Sequence, residues 1–168
     1  MSYQVKKTTT NIVTGILVLA AYFIYTFGRV HAEAAAPDGL KFWATTILIF
    51  IGIGVVASIV IQIVFHILLS ISIAVKKKIL NEKCEDKEIE KEIKAEMVED
   101  EMDKLIELKS MRLAFIVAGI GFIAALVSLV LNYPPAVMLN ILFISFGAGS
   151  LFDGFAQIYY YRRGLKNG

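Results

Sequence analysis

Four long apolar stretches and one densely charged interior segment set the pattern of the chain. The first apolar run covers Asn11–Phe27 and ends at Gly28-Arg29. The second extends from Phe42 to Val75 with no charge apart from a protonatable His66. The third is Leu113–Leu131, and the fourth is Ala136–Tyr161, broken only by Asp153. A helix rises about 1.5 Å per residue, so about 20 residues cross a hydrocarbon core of about 30 Å. The first, third and fourth runs each fit one crossing. The second is too long for one crossing and too short for two with a turn, and no proline divides it. It predicts one helix, tilted or leaving the bilayer around Leu69–Val75. The expected fold is therefore an all-α integral membrane protein, a single domain over 1–168. Its four helices form an antiparallel bundle with spans near 11–28, 42–68, 112–131 and 136–160, and a charged helical segment lies near 76–110.

Composition agrees with the pattern. Hydrophobic residues make up 57% of the chain and charged residues 19%, and the mean hydropathy of +0.68 exceeds that of ordinary soluble domains. A cleaved signal peptide is the alternative for the first run, with Lys6-Lys7 ahead of it and Ala32-Glu33-Ala34 after it. The run is longer than a usual signal core, and Arg29 separates it from that site, so a retained span is expected.

Charge orients the spans. Of the 17 lysines and arginines, all but Arg29 and Lys41 lie before the first span, between the second and third, or after the fourth. The positive-inside rule then places both termini and the middle segment in the cytoplasm, for a multi-pass protein of the cell membrane. Trp43 and Tyr133 fall at the outer ends, and Tyr159-Tyr160-Tyr161 at the inner end. The outer loops are minimal. Pro37-Asp38-Gly39 is a turn with Asp38 placed to cap the second helix. Asn132-Tyr133-Pro134-Pro135 is a tight hairpin, and Pro135 suits the first turn of the fourth helix.

All of the 15 acids except Glu33, Asp38 and Asp153 lie between Lys76 and Lys109. This segment has no glycine or proline and is rich in helix formers. Ile89, Ile93 and Met97 recur at every fourth position, which gives a narrow apolar stripe on one or two charged helices. The stripe suits the second helix's protruding end, a second copy of the chain or, less well because of the many acids, the membrane surface. The acids Glu99, Asp100, Glu101 and Asp103 stand just before the third run. A calcium loop needs glycine and alternating oxygen ligands, which this stretch lacks, so a solvated helix is preferred to a metal site. Ser110 can cap the third helix, and Lys109 and Arg112 can meet anionic headgroups.

Three stretches carry a resemblance. Asp100-Glu101-Met102-Asp103-Lys104-Leu105-Ile106-Glu107-Leu108-Lys109-Ser110 resembles the D-E-R-D-x-x-I-x-x-K-S signature of a family of small prokaryotic four-span membrane proteins, with Met102 where that pattern has Arg. Gln62-Ile63-Val64-Phe65-His66-Ile67 is similar to a stretch late in the family's second span, and Tyr160-Tyr161-Arg162-Arg163-Gly164 to its tail. The resemblance implies the four-span topology and no defined activity.

Polar residues inside a span are expensive in lipid and face protein or a cavity. Gln62 and His66 are four apart on the second helix, and Asp153 and Gln157 four apart on the fourth. By helical rise His66 lies about 15 Å, and Asp153 about 13 Å, from the inner interface. An Asp153–His66 contact is expected, as a structural interhelical bond in preference to a proton- or ion-linked pair, since a single Asp–His pair is a thin pathway for ions. Gly147, Gly149, Ser150 and Gly154 on the fourth helix, with Gly121 and Ala125 on the third, form small-residue seams suited to close packing or to a dimer.

Catalysis finds little material. Cys84 is alone, no metalloprotease, phosphate-loop or nucleophile-elbow motif occurs, and lysines matched by acids leave no basic face for nucleic acid. No catalytic residue, resident metal or cofactor is expected. The expected partners are the lipid bilayer, a second copy and a cytoplasmic protein. Two function classes remain open beside a remote intramembrane enzyme. The expected one is an interaction or regulatory protein, whose cytoplasmic helices engage a partner and whose bundle senses membrane state or a hydrophobic compound. The other is an oligomeric transporter or channel subunit using Asp153 and His66. A water-filled pocket reaching Asp153 from the cytoplasm favours the second, and a dry bundle favours the first.

Overall fold

The computed structural model describes residues 3–27, 29, 39–79 and 100–164, apart from the side chains of Tyr3, His66, Leu69, Ile73, Ala74 and 76–79. Four helices make up the described chain: α1 (Tyr3–Thr26), α2 (Gly39–Ile79), α3 (Glu101–Val130) and α4 (Pro135–Arg163). Each is long and apolar enough to cross a membrane. α2 is one continuous helix of 41 residues, about 60 Å long at the helical rise, so it outruns a core of about 30 Å. The apolar stripe at Ile89, Ile93 and Met97, the capping role of Asp38 and the acid Glu99 lie outside the described residues.

The start of α3 differs from the sequence expectation. The helix begins at Glu101, and Asp100 is its N-cap. Asp100 Oδ1 accepts from the Asp103 amide at 2.7 Å, and Asp103 Oδ2 accepts from the Asp100 amide at 3.2 Å. This reciprocal box satisfies two of the amides that a helix start leaves open. Glu101 and Asp103 also place negative charge in the first turn, where the helix dipole favours it. Ser110 is therefore not a cap. It is fully buried within α3, and its Oγ donates to the Glu107 carbonyl at 2.9 Å.

The α3–α4 turn forms as its residues suggest. Asn132 takes φ 62°, and the amides of Asn132 and Tyr133 return to the carbonyls of Leu129 and Ser128 at 3.0 Å each. This is a Schellman closure with Asn in the left-handed position. Pro135 then opens α4, where its missing N–H costs nothing. Gly164 ends α4 at φ 72°, its amide bonded to the Tyr160 carbonyl at 2.9 Å.

Close contacts join the helices. Gly121 meets Ser145, Gly149 meets Ala114, and Tyr161 bonds Asp103 between α3 and α4. Thr8 meets Gln157, Ile12 meets Gly154 and Leu19 meets Gly147 between α1 and α4. Val18 meets Gly54 and Tyr22 meets Phe50 between α1 and α2. α4 is the central helix, with Ser145 and Gly149 turned to α3, and Gly147 and Gly154 turned to α1. The small-residue seams are thus used inside the chain, which removes the support they lent to a dimer. On α2, Gly52 faces open space.

The core lies toward the end that holds the α3–α4 turn. Tyr22, Trp43, Phe50 and Ala136 are buried there, with Val18, Leu139 and Phe143 packed around them. Tyr22 stacks edge-on against Phe50 at 5.2 Å and tilts against Phe143 at 4.5 Å. Trp43 is 1% exposed, so it packs inward rather than standing in a surface belt. The Tyr22 hydroxyl donates to Asn140 Oδ1, and Asn140 Nδ2 donates to the Ala136 carbonyl at 2.8 Å. Tyr22→Phe is expected to lower stability by about 1 kcal/mol, since the α1–α4 hydrogen bond is lost while the ring contacts remain. Unfolding midpoints in mild detergent check this; an unchanged midpoint would show that the hydroxyl carries no stability.

Candidate functional site

The sequence-derived polar residues of three helices meet at the other end of the molecule. A cavity of about 290 Å³ opens there. α2 contributes Gln62, α3 contributes Asp103 and Glu107, and α4 contributes Asp153, Gln157 and Tyr161. The fourth helix, α1, contributes Gln4, Lys7, Thr8 and Asn11. Among these groups, three carboxylates stand against the one ammonium of Lys7.

Short polar links hold the walls together. The Thr8 hydroxyl donates to Gln157 Oε1 at 3.0 Å, and Gln157 Nε2 donates to Asp153 Oδ2 at 3.1 Å. Gln157 thereby ties α1 to the Asp153 carboxylate through its own amide. Asp153 Oδ1 is buried and meets no donor among the described residues. The Tyr161 hydroxyl donates to Asp103 Oδ1 at 2.8 Å, which joins α4 to the start of α3. Asp103 therefore serves twice, once in the capping box and once as the α4 anchor. Outside the cavity, the Lys109 ammonium stands 5.8 Å from the Tyr160 ring and the Arg163 guanidinium 5.2 Å from the Tyr159 ring. Both are cation–π contacts that hold basic side chains along the aromatic tail.

Gln62, Asp153 and Gln157 all line this cavity. The side chain of His66, the expected partner of Asp153, lies outside the description. Of the acidic motif, Asp103 reaches the cavity, Asp100 caps α3 and Glu101 is exposed in the first turn. Among the described residues, no group of three or more His, Cys, Asp or Glu side chains is placed to hold a metal ion. Glu107 is a cavity residue that the sequence reading passed over, and so are all four residues of α1. Gln4, Lys7, Thr8 and Asn11 are spaced i, i+3, i+4 and i+7, which is one face of a helix. That stripe was the available signal.

Two further cavities continue from the first. One of about 580 Å³ shares Asn11 and Gln62 with it and runs between α1, α2 and α4 past Gly54 to Phe50 and Phe143. The other, of about 490 Å³, shares Ile51, Phe143 and Gly147 with the second and is lined only by apolar residues and glycine of α2 and α4. The three cavities grade from charged to mixed to apolar.

No protein-family model, curated protein or solved structure matches this chain.

Proposed function

We propose that the chain is a four-span antiparallel bundle in the cell membrane, with both termini and the 76–110 segment in the cytoplasm, and that it acts as a transporter-type subunit. In this reading the cavity around Asp103, Glu107 and Asp153 is a vestibule open to the cytoplasm. The observation that carries the reading is that polar cavity, which leads to the one carboxylate set inside an apolar run. Charge asymmetry supports the orientation, because Lys6, Lys7, Arg162 and Arg163 all belong to the vestibule end. An intramembrane acid beside a cavity is what ion and solute pathways use. The aromatic layer of Tyr22, Phe50 and Phe143 supports a vestibule closed toward the outside, because it fills the space between α1, α2 and α4 at the far end. Binding and release there need no bond-making chemistry, in keeping with a non-enzymatic role.

Thiol accessibility tests the proposal. In a Cys84→Ser background, Gln62→Cys is expected to react with a membrane-impermeant reagent from the cytoplasmic face of inverted vesicles. Leu48→Cys, which is exposed on an apolar helix surface, is expected to stay unreactive from both faces. Reaction of Gln62→Cys from the outer face alone would reverse the orientation, and no reaction from either face would remove the vestibule.

A further inference from the structure

The grading of the three cavities has its own chemistry. The head region holds Asp103, Glu107 and Asp153 against Lys7, and Lys7 already has an interaction of its own within the chain. The amide groups of Gln62 and Gln157 and the hydroxyl of Thr8 add neutral hydrogen-bonding groups. A ligand group placed there is favoured if it carries positive charge and several N–H donors. Asp153 Oδ1 is a buried acceptor that meets no donor among the described residues, and Glu107 is exposed on the same wall. The next cavity adjoins this one and has a mostly apolar lining. Asn11 and Gln62 line both the charged cavity and the next one, and Gly54 widens the path between them and Phe50. A Cβ at Gly54 would meet nothing closer than Val18 Cγ1 at 4.0 Å, so this wall is open rather than filled. The path ends in the apolar cleft at Ile51, Phe143 and Gly147.

We propose that these adjoining cavities together bind an amphiphile with an ammonium head and an aliphatic tail. The head sits among Asp103, Glu107 and Asp153, and the tail lies between α1, α2 and α4 toward Phe143. A simple inorganic cation uses only the first cavity, and an apolar compound only the last. An ammonium amphiphile fits the whole length, with its charge matched at one end and its hydrocarbon out of water at the other. The proposal rests on the vestibule reading and specifies its ligand.

Binding of radiolabelled dodecylammonium to the full-length protein in phosphatidylcholine nanodiscs tests it, with empty nanodiscs subtracted. Butylammonium, lacking most of the tail, and dodecyl sulfate, with the opposite charge, are each expected to bind at least about tenfold more weakly. Glu107→Gln is expected to weaken dodecylammonium about tenfold while leaving dodecanol unchanged, because only a charge is removed. Gly54→Leu is expected to weaken dodecylammonium but not butylammonium, because it fills the tail path alone. Equal binding of dodecylammonium and dodecyl sulfate, or insensitivity to both substitutions in protein of parental melting temperature, would overturn the proposal. Nanodiscs enriched in phosphatidylethanolamine identify the source of the head. Competition assigns it to a membrane lipid, and no competition assigns it to a free amphiphile, the site being the same. The measurement is indifferent to which face of the membrane the groove opens on, so it can succeed where the thiol test fails, and the reverse.

Discussion

Replacing Gly121 with alanine is expected to destabilise the protein by about 1–3 kcal/mol, the range for overpacking a closed interface. The sign is not obvious from local preference, because glycine to alanine within a helix gains about 1 kcal/mol of helical propensity. Packing decides it. A Cβ on Gly121 would collide with Oγ and Cβ of Ser145, and the Ser145 Cα stands 3.5 Å away. The obstacle is a short side chain rooted in the facing backbone, with Oγ bonded to the Ile141 carbonyl at 2.6 Å, so it has little room to swing aside. Four helix positions further along α4, the same interface brings Gly149 to 3.0 Å from the Ala114 carbonyl oxygen, measured from the Cβ it lacks. Separating the helices at one contact therefore opens the other. Two controls isolate the cause. Gly119→Ala faces open space on the same helix, and is expected to be neutral or stabilising by up to about 1 kcal/mol. The exchange Gly121→Ala with Ser145→Gly moves the side chain from one helix to the other, and is expected to recover most of the loss. Unfolding midpoints in mild detergent give all three values. A double variant no more stable than Gly121→Ala alone would show that the interface depends on something other than this fit.

The same residues show what a sequence can and cannot reveal. Long uncharged runs are read directly, and the four helices, each long and apolar enough to cross a membrane, follow them. Gly121, Ser145 and Gly149 are legible as small residues at helical spacing. Their partners are not, since a seam facing another helix of the chain and a seam facing a second copy obey the same rule. Asp153 and Gln157 stood out because polarity inside an apolar run is costly. Lys7, Thr8 and Asn11 did not, because they precede or open their run and read as its polar border. Asp103 was harder still. Its place in a capping box is local, whereas its bond to Tyr161 joins residues 58 positions apart, and only the pairing of α3 with α4 creates it. Ser110 was misplaced for a related reason. A serine before an apolar run signals a helix start, but Asp100 with Asp103 supplies a reciprocal cap earlier, and the helix runs through Ser110.

Substitutions of Asp153 separate the fold from the function proposed for the cavity. Asp153→Leu is expected to cost about 1–3 kcal/mol, because Gln157 Nε2 loses its acceptor in an apolar setting and the Thr8–Gln157 tie between α1 and α4 is left without its anchor. Asp153→Asn keeps an amide oxygen for the same donor, so its cost is expected below about 1 kcal/mol. Both variants remove the charge. If the carboxylate contributes to holding an ammonium head, each should weaken dodecylammonium binding about tenfold, while only the leucine variant melts early. The two measurements fail in different ways. Equal loss of stability in both variants would mean that the charge itself, rather than the acceptor that anchors Gln157 for its bond with Thr8, carries the stability. Parental binding by a stable Asp153→Asn protein would restrict the head contact to Asp103 and Glu107 and leave Asp153 a structural acceptor for Gln157.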